Sequence, residues 1–230
     1  MNGKSWIVFG VIVVAIIGGL IYISPKSTVD VSDIENGSGR ILGAEERNGN
    51  IGDHVFGNKD AKVLLVEYGD YQCNPGCRLF HENFSPIMQD ETYKEQIAFI
   101  YRNFPIPQIH PNANAAAASA EAAGKQGKFW EMWDALFGNQ AEWSAASPSE
   151  RNEFFERYAS ALGVKLEQFR TDQASDAVSQ KIRFDQALGK AAGVTGTPTL
   201  FLNGKKVDGD KAGSTEALKT LIDDALKDVK

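Results

Sequence analysis

The 230-residue sequence has few of the residues that mark common functional sites. Its two cysteines and three histidines (His54, His81 and His110) do not form the four-ligand set that structural zinc needs. A glycine-rich phosphate loop and a Gly-x-Ser-x-Gly segment are both missing. Acidic residues outnumber basic ones by 30 to 24, and no basic stripe stands out. The sequence therefore gives no support for a zinc-stabilised domain, a P-loop nucleotide site, an α/β-hydrolase or a nucleic-acid partner.

The amino-terminal segment contains one long run without charge. Eighteen consecutive uncharged residues extend from Trp6 to Ile23, and a helix of this length spans about 27 Å. A cleavable signal peptide has a shorter apolar region and a small-x-small cleavage site, which this segment lacks. We therefore predict an uncleaved, single-pass anchor over residues 1–23 that contacts the lipid bilayer through residues 6–23. Because Lys4 precedes the span, we expect the rest of the chain to lie outside the cytoplasm.

The residues after this anchor divide into a linker and one domain. Residues 24–50 are rich in glycine, serine, asparagine and charge, and they include no aromatic ring. Such a composition predicts a flexible linker. The domain is predicted to cover residues 51–230.

The order of patterns in this domain predicts an α/β fold. The run AKVLLVEYGD indicates a strand buried on both faces, a helix follows from about Cys73, and a second strand covers Ile97–Ile106. Helical periodicity then dominates residues 112–192, which we interpret as an inserted helical subdomain. Asn203-Gly204 predicts a hairpin between two short strands, and an amphipathic helix ends the chain.

Both cysteines, Cys73 and Cys77, stand in the segment CNPGC. A disulfide across so short a loop would stabilise the fold by about 2 kcal/mol, against about 4.7 kcal/mol for a hundred-residue loop. Two thiols are also too few for a zinc site. Redox exchange, however, needs only two thiols. One helical turn separates Cα atoms by about 6 Å, which is a distance that a disulfide can span.

Position predicts different tasks for the two thiols. A helix start favours thiolate at Cys73, which we predict to be the attacking sulfur. Cys77 lies further inside, where burial raises a thiol pKa, so we predict that it resolves mixed disulfides. Glu67 is the one charge within VLLVEY. It is either a carboxylate that reaches solvent at a strand end or a buried acid that shuttles protons for Cys77.

Three segments resemble the DsbA-like thiol–disulfide oxidoreductases: DHVFGNKDAKVLLVEYGDYQC, HPNANAAAASAEAAGKQGKFWEMWDALF and GVTGTPTLFLNGK. The resemblance covers residues 51–230 and implies a thioredoxin-like fold with the inserted helical subdomain, here preceded by one transmembrane helix. It also implies the active-site residues, with Cys73 as nucleophile, Cys77 as resolving thiol, Thr197 and Pro198 in a cis-proline loop facing the sulfurs, and Glu67 as the buried acid.

By the same resemblance, the chain introduces disulfides into exported proteins without a bound cofactor or metal. Its partners would be reduced exported proteins and a quinone-linked membrane protein of the DsbB or VKOR (vitamin-K-epoxide-reductase) type. One departure is the spacer, because the family has two residues between its cysteines and CNPGC has three. The direction of exchange, as oxidant, reductant or isomerase, therefore stays open.

A second hypothesis is a Sco-like copper chaperone. Proteins of that family are also membrane-anchored thioredoxin folds with a Cys-x-x-x-Cys motif, and they bind copper through Cys73 and Cys77 equivalents and a histidine. His110 or His81 would supply the third ligand here. Arg78, however, stands where that family has a proline. The redox hypothesis is therefore preferred.

Overall fold

The computed structural model describes residues 29–47 and 49–228. Within them, five strands form one mixed sheet in the order β1-β3-β2-β4-β5. Strands β2 and β3 are parallel, and the other neighbouring pairs are antiparallel. The strands are β1 (Val55–Gly57), β2 (Val63–Gly69), β3 (Ile97–Asn103), β4 (Thr199–Leu202) and β5 (Lys205–Lys206).

The two central strands have the character that the sequence predicted. Every residue of β2 and β3 is buried, as expected for parallel strands covered on both faces. Helical residues connect β2 to the parallel strand β3, which confirms the predicted βαβ unit, with two helices where one was predicted. The predicted hairpin is also confirmed, since Asn203 and Gly204 join β4 to β5 with positive φ angles of 48° and 79°.

Nine α-helices occur in the described residues. Two lie between β2 and β3, six form the insertion between β3 and β4, and one ends the domain. They are α1 (Gly76–Met88), α2 (Glu91–Gln96), α3 (Ala113–Gly124), α4 (Phe129–Gly138), α5 (Gln140–Trp143), α6 (Pro148–Ala161), α7 (Leu166–Gln173), α8 (Asp176–Ala191) and α9 (Thr215–Asp228). The insertion thus covers 113–191, close to the predicted 112–192.

Alternate side chains of the central strands serve two separate apolar cores. Val63 and Leu65 of β2 face a large core that includes aromatic rings from α1 and α4. Leu64 and Val66 face a smaller core with Phe184 of α8. This alternation follows from the pleat, in which successive side chains point to opposite faces of the sheet.

Part of the predicted linker belongs to the folded domain. The sequence predicted a flexible linker over residues 24–50, but residues 29–47 pack on the sheet, and Leu42 retains only 1% exposure in the smaller core. Arg102 of β3 donates hydrogen bonds to the carbonyl oxygens of Gly37 and Arg40, at 2.5 and 3.0 Å. The physical reason is that the scattered aliphatic side chains of this segment cover apolar surface on the sheet.

The membrane anchor predicted over residues 1–23 lies outside the described residues. In the part of the chain that the structure describes, no helix combines the length and the apolar character that crossing a bilayer requires.

Candidate active site

The CNPGC segment lies directly beyond the carboxyl end of β2. The N–H of Cys73 donates to the carbonyl oxygen of Asp70 at 3.0 Å and so closes the turn that leaves the strand. The sequence predicted a helix from about Cys73, but α1 begins at Gly76. Pro75 disfavours helical geometry in the residue before it, so Cys73 lies in the turn before α1 and only Cys77 lies in the helix.

The two sulfur atoms have different access to solvent. Both cysteines are free thiols. Cys73 retains 8% of its surface and Cys77 retains none. Cys73 is thus the more exposed of the two residues, and Cys77 is fully covered.

The pKa values of the two thiols are separated by the same arrangement. A hydrogen bond from the Cys77 thiol, together with the Cys77 N–H at 3.3 Å from the Cys73 sulfur, lowers the pKa of Cys73 to about 6. Burial raises the pKa of the Cys77 thiol well above its ordinary value. Near neutral pH, Cys73 is thus a thiolate and Cys77 a protonated thiol.

The loop before β4 faces these sulfurs. The Thr197–Pro198 peptide bond is cis, as the resemblance implied. The Cys73 thiol lies 3.3 Å from the carbonyl oxygen of Thr197. Gly76 fits between the two loops because a Cβ atom there would lie 2.9 Å from Cδ of Pro198. The structure therefore brings Cys73, Thr197 and Pro198 together.

Glu67 is a buried acid rather than a solvent-reaching carboxylate. Its side chain has no exposed surface, and neither carboxylate oxygen has a hydrogen-bond partner among the described residues. Burial, followed by the charge of Cys73, raises the pKa of Glu67 well above its ordinary value. The carboxyl group therefore holds a proton inside the domain under conditions where an exposed glutamate is ionised.

The two histidines considered as copper ligands are held by carboxylates. A ring nitrogen of His110 lies 2.8 Å from Asp70, and one of His81 lies 2.8 Å from Asp134. Across residues 29–47 and 49–228, no group of three or more Cys, His, Asp or Glu side chains is arranged to hold a metal ion. This arrangement does not favour the Sco-like hypothesis.

A glutamine from the insertion also contacts the cysteine loop. The side-chain nitrogen of Gln140 donates to the carbonyl oxygens of Tyr71 and Cys73, at 2.8 and 3.2 Å. Its side-chain oxygen accepts a hydrogen bond from Asn74 at 3.0 Å. Sequence reasoning missed Gln140 because a lone glutamine at the start of a short helix carries no motif.

An open groove runs beside the sulfurs, between α1 and the β4–β5 hairpin. Its lining includes Gly76, Leu79 and Pro198, and Leu79 is 50% exposed.

Comparison with known proteins supports the fold. The profile of the family described as thioredoxin matches residues 49–224. The structure resembles a thioredoxin-like oxidoreductase from Silicibacter pomeroyi (27% identity, 76% of this chain and 92% of that chain, TM-score 0.60). It also resembles oxidised BdbD from Bacillus subtilis (23% identity, 82% of this chain and 97% of that chain, TM-score 0.66).

Curated relatives carry a matching region within much longer proteins. The Na(+)/H(+) antiporter NhaA 1 of Salinispora arenicola is 36% identical over 174 residues, which are 76% of this chain and 25% of that protein. The chain thus spans about a quarter of the length of the curated relatives it matches. The family profile covers most of the folded residues, and the fold is the predicted thioredoxin-like one with a helical insertion. The chain belongs to the thioredoxin family.

Proposed function

We propose that this chain is a thiol:disulfide oxidoreductase that introduces disulfides into exported proteins through Cys73 and Cys77. The observation that carries the proposal is the asymmetry of the pair. Cys73 keeps a small exposed fraction and has a pKa of about 6, and Cys77 is fully covered, with a raised pKa. In such a pair, Cys73 can form and leave mixed disulfides with substrates, and Cys77 can attack a mixed disulfide while it stays shielded from solvent.

The proposed reaction starts from the Cys73–Cys77 disulfide. A substrate thiolate attacks Cys73, forming a mixed disulfide and releasing Cys77 as a thiolate. Glu67 then gives its proton to the Cys77 thiolate, because burial favours the neutral thiol at Cys77. A second substrate thiolate then attacks the substrate sulfur of the mixed disulfide and releases Cys73 as a thiolate. Two electrons pass from the substrate dithiol to the enzyme, and the substrate leaves oxidised.

The same proposal includes location and partners. The uncharged residues 6–23 would anchor the chain in the cell membrane and place residues 51–230 outside the cytoplasm. The substrates would be reduced exported proteins that approach along the groove beside Pro198. A quinone-linked membrane protein of the DsbB or VKOR type would reoxidise the pair.

Trapping of mixed disulfides tests the proposed chemistry. We expect Cys77→Ala in the full chain to accumulate disulfide-linked exported proteins, because its Cys73 thiolate attacks substrate disulfides in the reverse of the proposed exchange and no Cys77 thiol remains to release the adduct. Cys73→Ala should accumulate almost none, since Cys77 is covered. The adducts are read after acid quenching, on gels run with and without reductant. Equal trapping by both variants would contradict the proposal.

A reporter fusion tests the proposed topology. A reporter active only outside the cytoplasm, fused after Lys230, should be active in cells that produce the full chain. Activity of a cytoplasm-only reporter at the same position would refute the proposed orientation.

A further inference from the structure

The three residues between the cysteines offer few side-chain hydrogen bonds to their surroundings. Asn74 has the one polar side chain among them, Pro75 lacks a backbone donor and Gly76 lacks a side chain. Yet the Cys77 N–H lies 3.3 Å from the Cys73 sulfur, and this contact helps to stabilise the thiolate. The backbone of this segment is tied to the turn at Asp70 and to α1, and a side chain from the insertion adds to these contacts.

Within the described residues, the side chain of Gln140 forms all of its hydrogen bonds with residues 71–74, which we call the cysteine loop. Its two N–H groups donate to the carbonyl oxygens of Tyr71 and Cys73, and its oxygen accepts from Asn74. The residue retains 1% exposure. Gln140 is thus hydrogen-bonded to the backbone before and after the Cys73 Cα atom and to the side chain of Asn74, the first residue of the spacer.

The support beneath Gln140 is itself fixed by packing. Gln140 begins α5, which ends at Trp143. Trp143 has no exposed surface, and its indole N–H donates to the carbonyl oxygen of Leu136 at 2.8 Å. Asn112, at the start of α3, donates to the carbonyl oxygen of Ala146 at 3.0 Å, just after α5. Buried packing and these hydrogen bonds therefore fix the position of α5, and with it the position of Gln140.

We propose that Gln140 is a positioning residue for the redox pair: from the helical insertion, it fixes the Cys73–Asn74 segment so that the Cys73 sulfur stays against the Cys77 N–H. This inference rests on the proposed thiol–disulfide exchange and assigns to the insertion a role in setting its reactivity. Gln140 does not touch the sulfur itself, and it acts through the backbone carbonyl of Cys73 and the side chain of Asn74.

Loss of these hydrogen bonds has a predictable direction. Without Gln140, the carbonyl group of Tyr71 loses a buried donor, and that of Cys73 keeps only the N–H of Arg78, at 3.4 Å. The loop then shifts to find new partners, because unpaired buried polar groups are costly. A shift of the loop lengthens the contact between the Cys77 N–H and the Cys73 sulfur. The thiolate then loses stabilisation, so the pKa of Cys73 rises toward its ordinary value.

The test compares Gln140→Met with the unchanged protein, using the full chain in its reduced form. Methionine keeps the length of the side chain and removes its hydrogen bonds. We expect the midpoint of the iodoacetamide rate against pH to rise by about one unit, which lowers the thiolate fraction at pH 5 about tenfold. Asn74→Ala should raise the midpoint by a smaller amount and should add little when combined with Gln140→Met.

A matched control is available in the same subdomain. Gln126 donates to the carbonyl oxygen of Lys165 at 3.2 Å and accepts from its N–H at 2.9 Å, but it does not contact the cysteine loop. Gln126→Met should therefore leave the midpoint unchanged. An equal shift in this control, or superimposable profiles for Gln140→Met and the unchanged protein, would overturn the inference.

Two further outcomes are separable. If Gln140→Met does not fold, Asn74→Ala alone decides, because its side chain lies on the exposed loop and its contact with Gln140 is the one being removed. An unshifted midpoint in that variant would overturn the inference. Alkylation requires no protein substrate, so a shifted midpoint in a protein that exchanges no disulfides would support the positioning role and refute the proposed function.

Discussion

Cys73 and Cys77 are four residues apart but differ in almost every physical respect. Hydrogen bonds from Cys77 lower the pKa of Cys73, whereas burial raises the pKa of Cys77. In the proposed exchange, Cys73 is therefore both the attacking sulfur and the leaving group, since the thiolate is the attacking form and the more acidic thiol leaves more readily.

We predict that Cys73 in the reduced native protein is alkylated with a midpoint near pH 6, the value to which its pKa is lowered. Cys77 should stay unmodified until the domain unfolds, because it has no exposed surface. Mass spectrometry of peptides from samples quenched at intervals measures both sites. Faster labelling of Cys77 would mean that the roles are reversed.

The buried Glu67 should make stability depend on pH. Its pKa is raised on folding from an ordinary value of 4.5, so the folded state binds the proton more tightly than the unfolded state. The free energy of unfolding therefore falls as pH rises above about 4.5, by up to about 1.4 kcal/mol per unit until the folded pKa is reached. Glu67→Gln should remove this dependence and should also slow resolution by Cys77.

Urea unfolding of both proteins at pH 5 and pH 8, under reducing conditions, measures the effect. The stability of Glu67→Gln relative to the unchanged protein should be greater at pH 8. A difference that is independent of pH would show that Glu67 keeps its ordinary pKa in the folded domain.

Some site residues could be identified from the sequence, and others could not. The cysteine pair was visible because two thiols stand alone in a long chain, and Glu67 because it interrupts an apolar strand. Its burial could not be decided, since the same pattern fits a strand end at the surface. Gln140 was missed because its partners include two backbone carbonyls, which have no signature in sequence.

Among the structural elements, the segment 29–47 departs most from expectation. Arg47 forms ion pairs with Asp53 and with Asp185 of α8, and all three side chains have no exposure. Breaking such a buried pair from one side leaves an uncompensated charge. The segment is therefore held to the domain by the ion pairs of Arg47.

We predict that Arg47→Met lowers the free energy of unfolding by about 3 kcal/mol or more, because it leaves Asp53 and Asp185 with fewer partners in the interior. Arg40→Met is the matched control, since Arg40 pairs with Glu46 at a solvent-accessible position, with 41% and 30% of the two side chains exposed. Urea unfolding of the full chain compares them. Similar small effects of both substitutions would mean that this segment is a loose linker after all.

The other helices and strands were predictable where hydrophobic periodicity or turn residues gave a clear local pattern. The long apolar strands and the Asn203-Gly204 hairpin stood out, and so did the helical insertion. Strand β1 was missed because it has three residues and pairs only with β3. The linker prediction was wrong over residues 29–47 because composition reports the lack of aromatic rings and not the apolar surface of the sheet that the scattered aliphatic side chains cover.

In the molecule as a whole, the sheet and the helical insertion meet at the cysteine loop. The sheet supplies Glu67 and the turn at Asp70, the loop before β4 supplies Thr197, and the insertion supplies Gln140. Because β4 runs antiparallel to β2, the loop before β4 lies at the same edge of the sheet as the carboxyl end of β2. We therefore expect the reactivity of Cys73 to depend on all three parts of the fold.

The reduction potential of the Cys73–Cys77 couple in the full chain tests the proposed oxidant most directly. Equilibration with glutathione at pH 7, followed by acid quenching and mass spectrometry, gives the oxidised fraction. Because the reduced form is stabilised by the low pKa of Cys73, we predict a potential less negative than about −200 mV, on the oxidising side of the glutaredoxins. A potential near or below about −270 mV, where thioredoxin lies, would contradict a disulfide-introducing function.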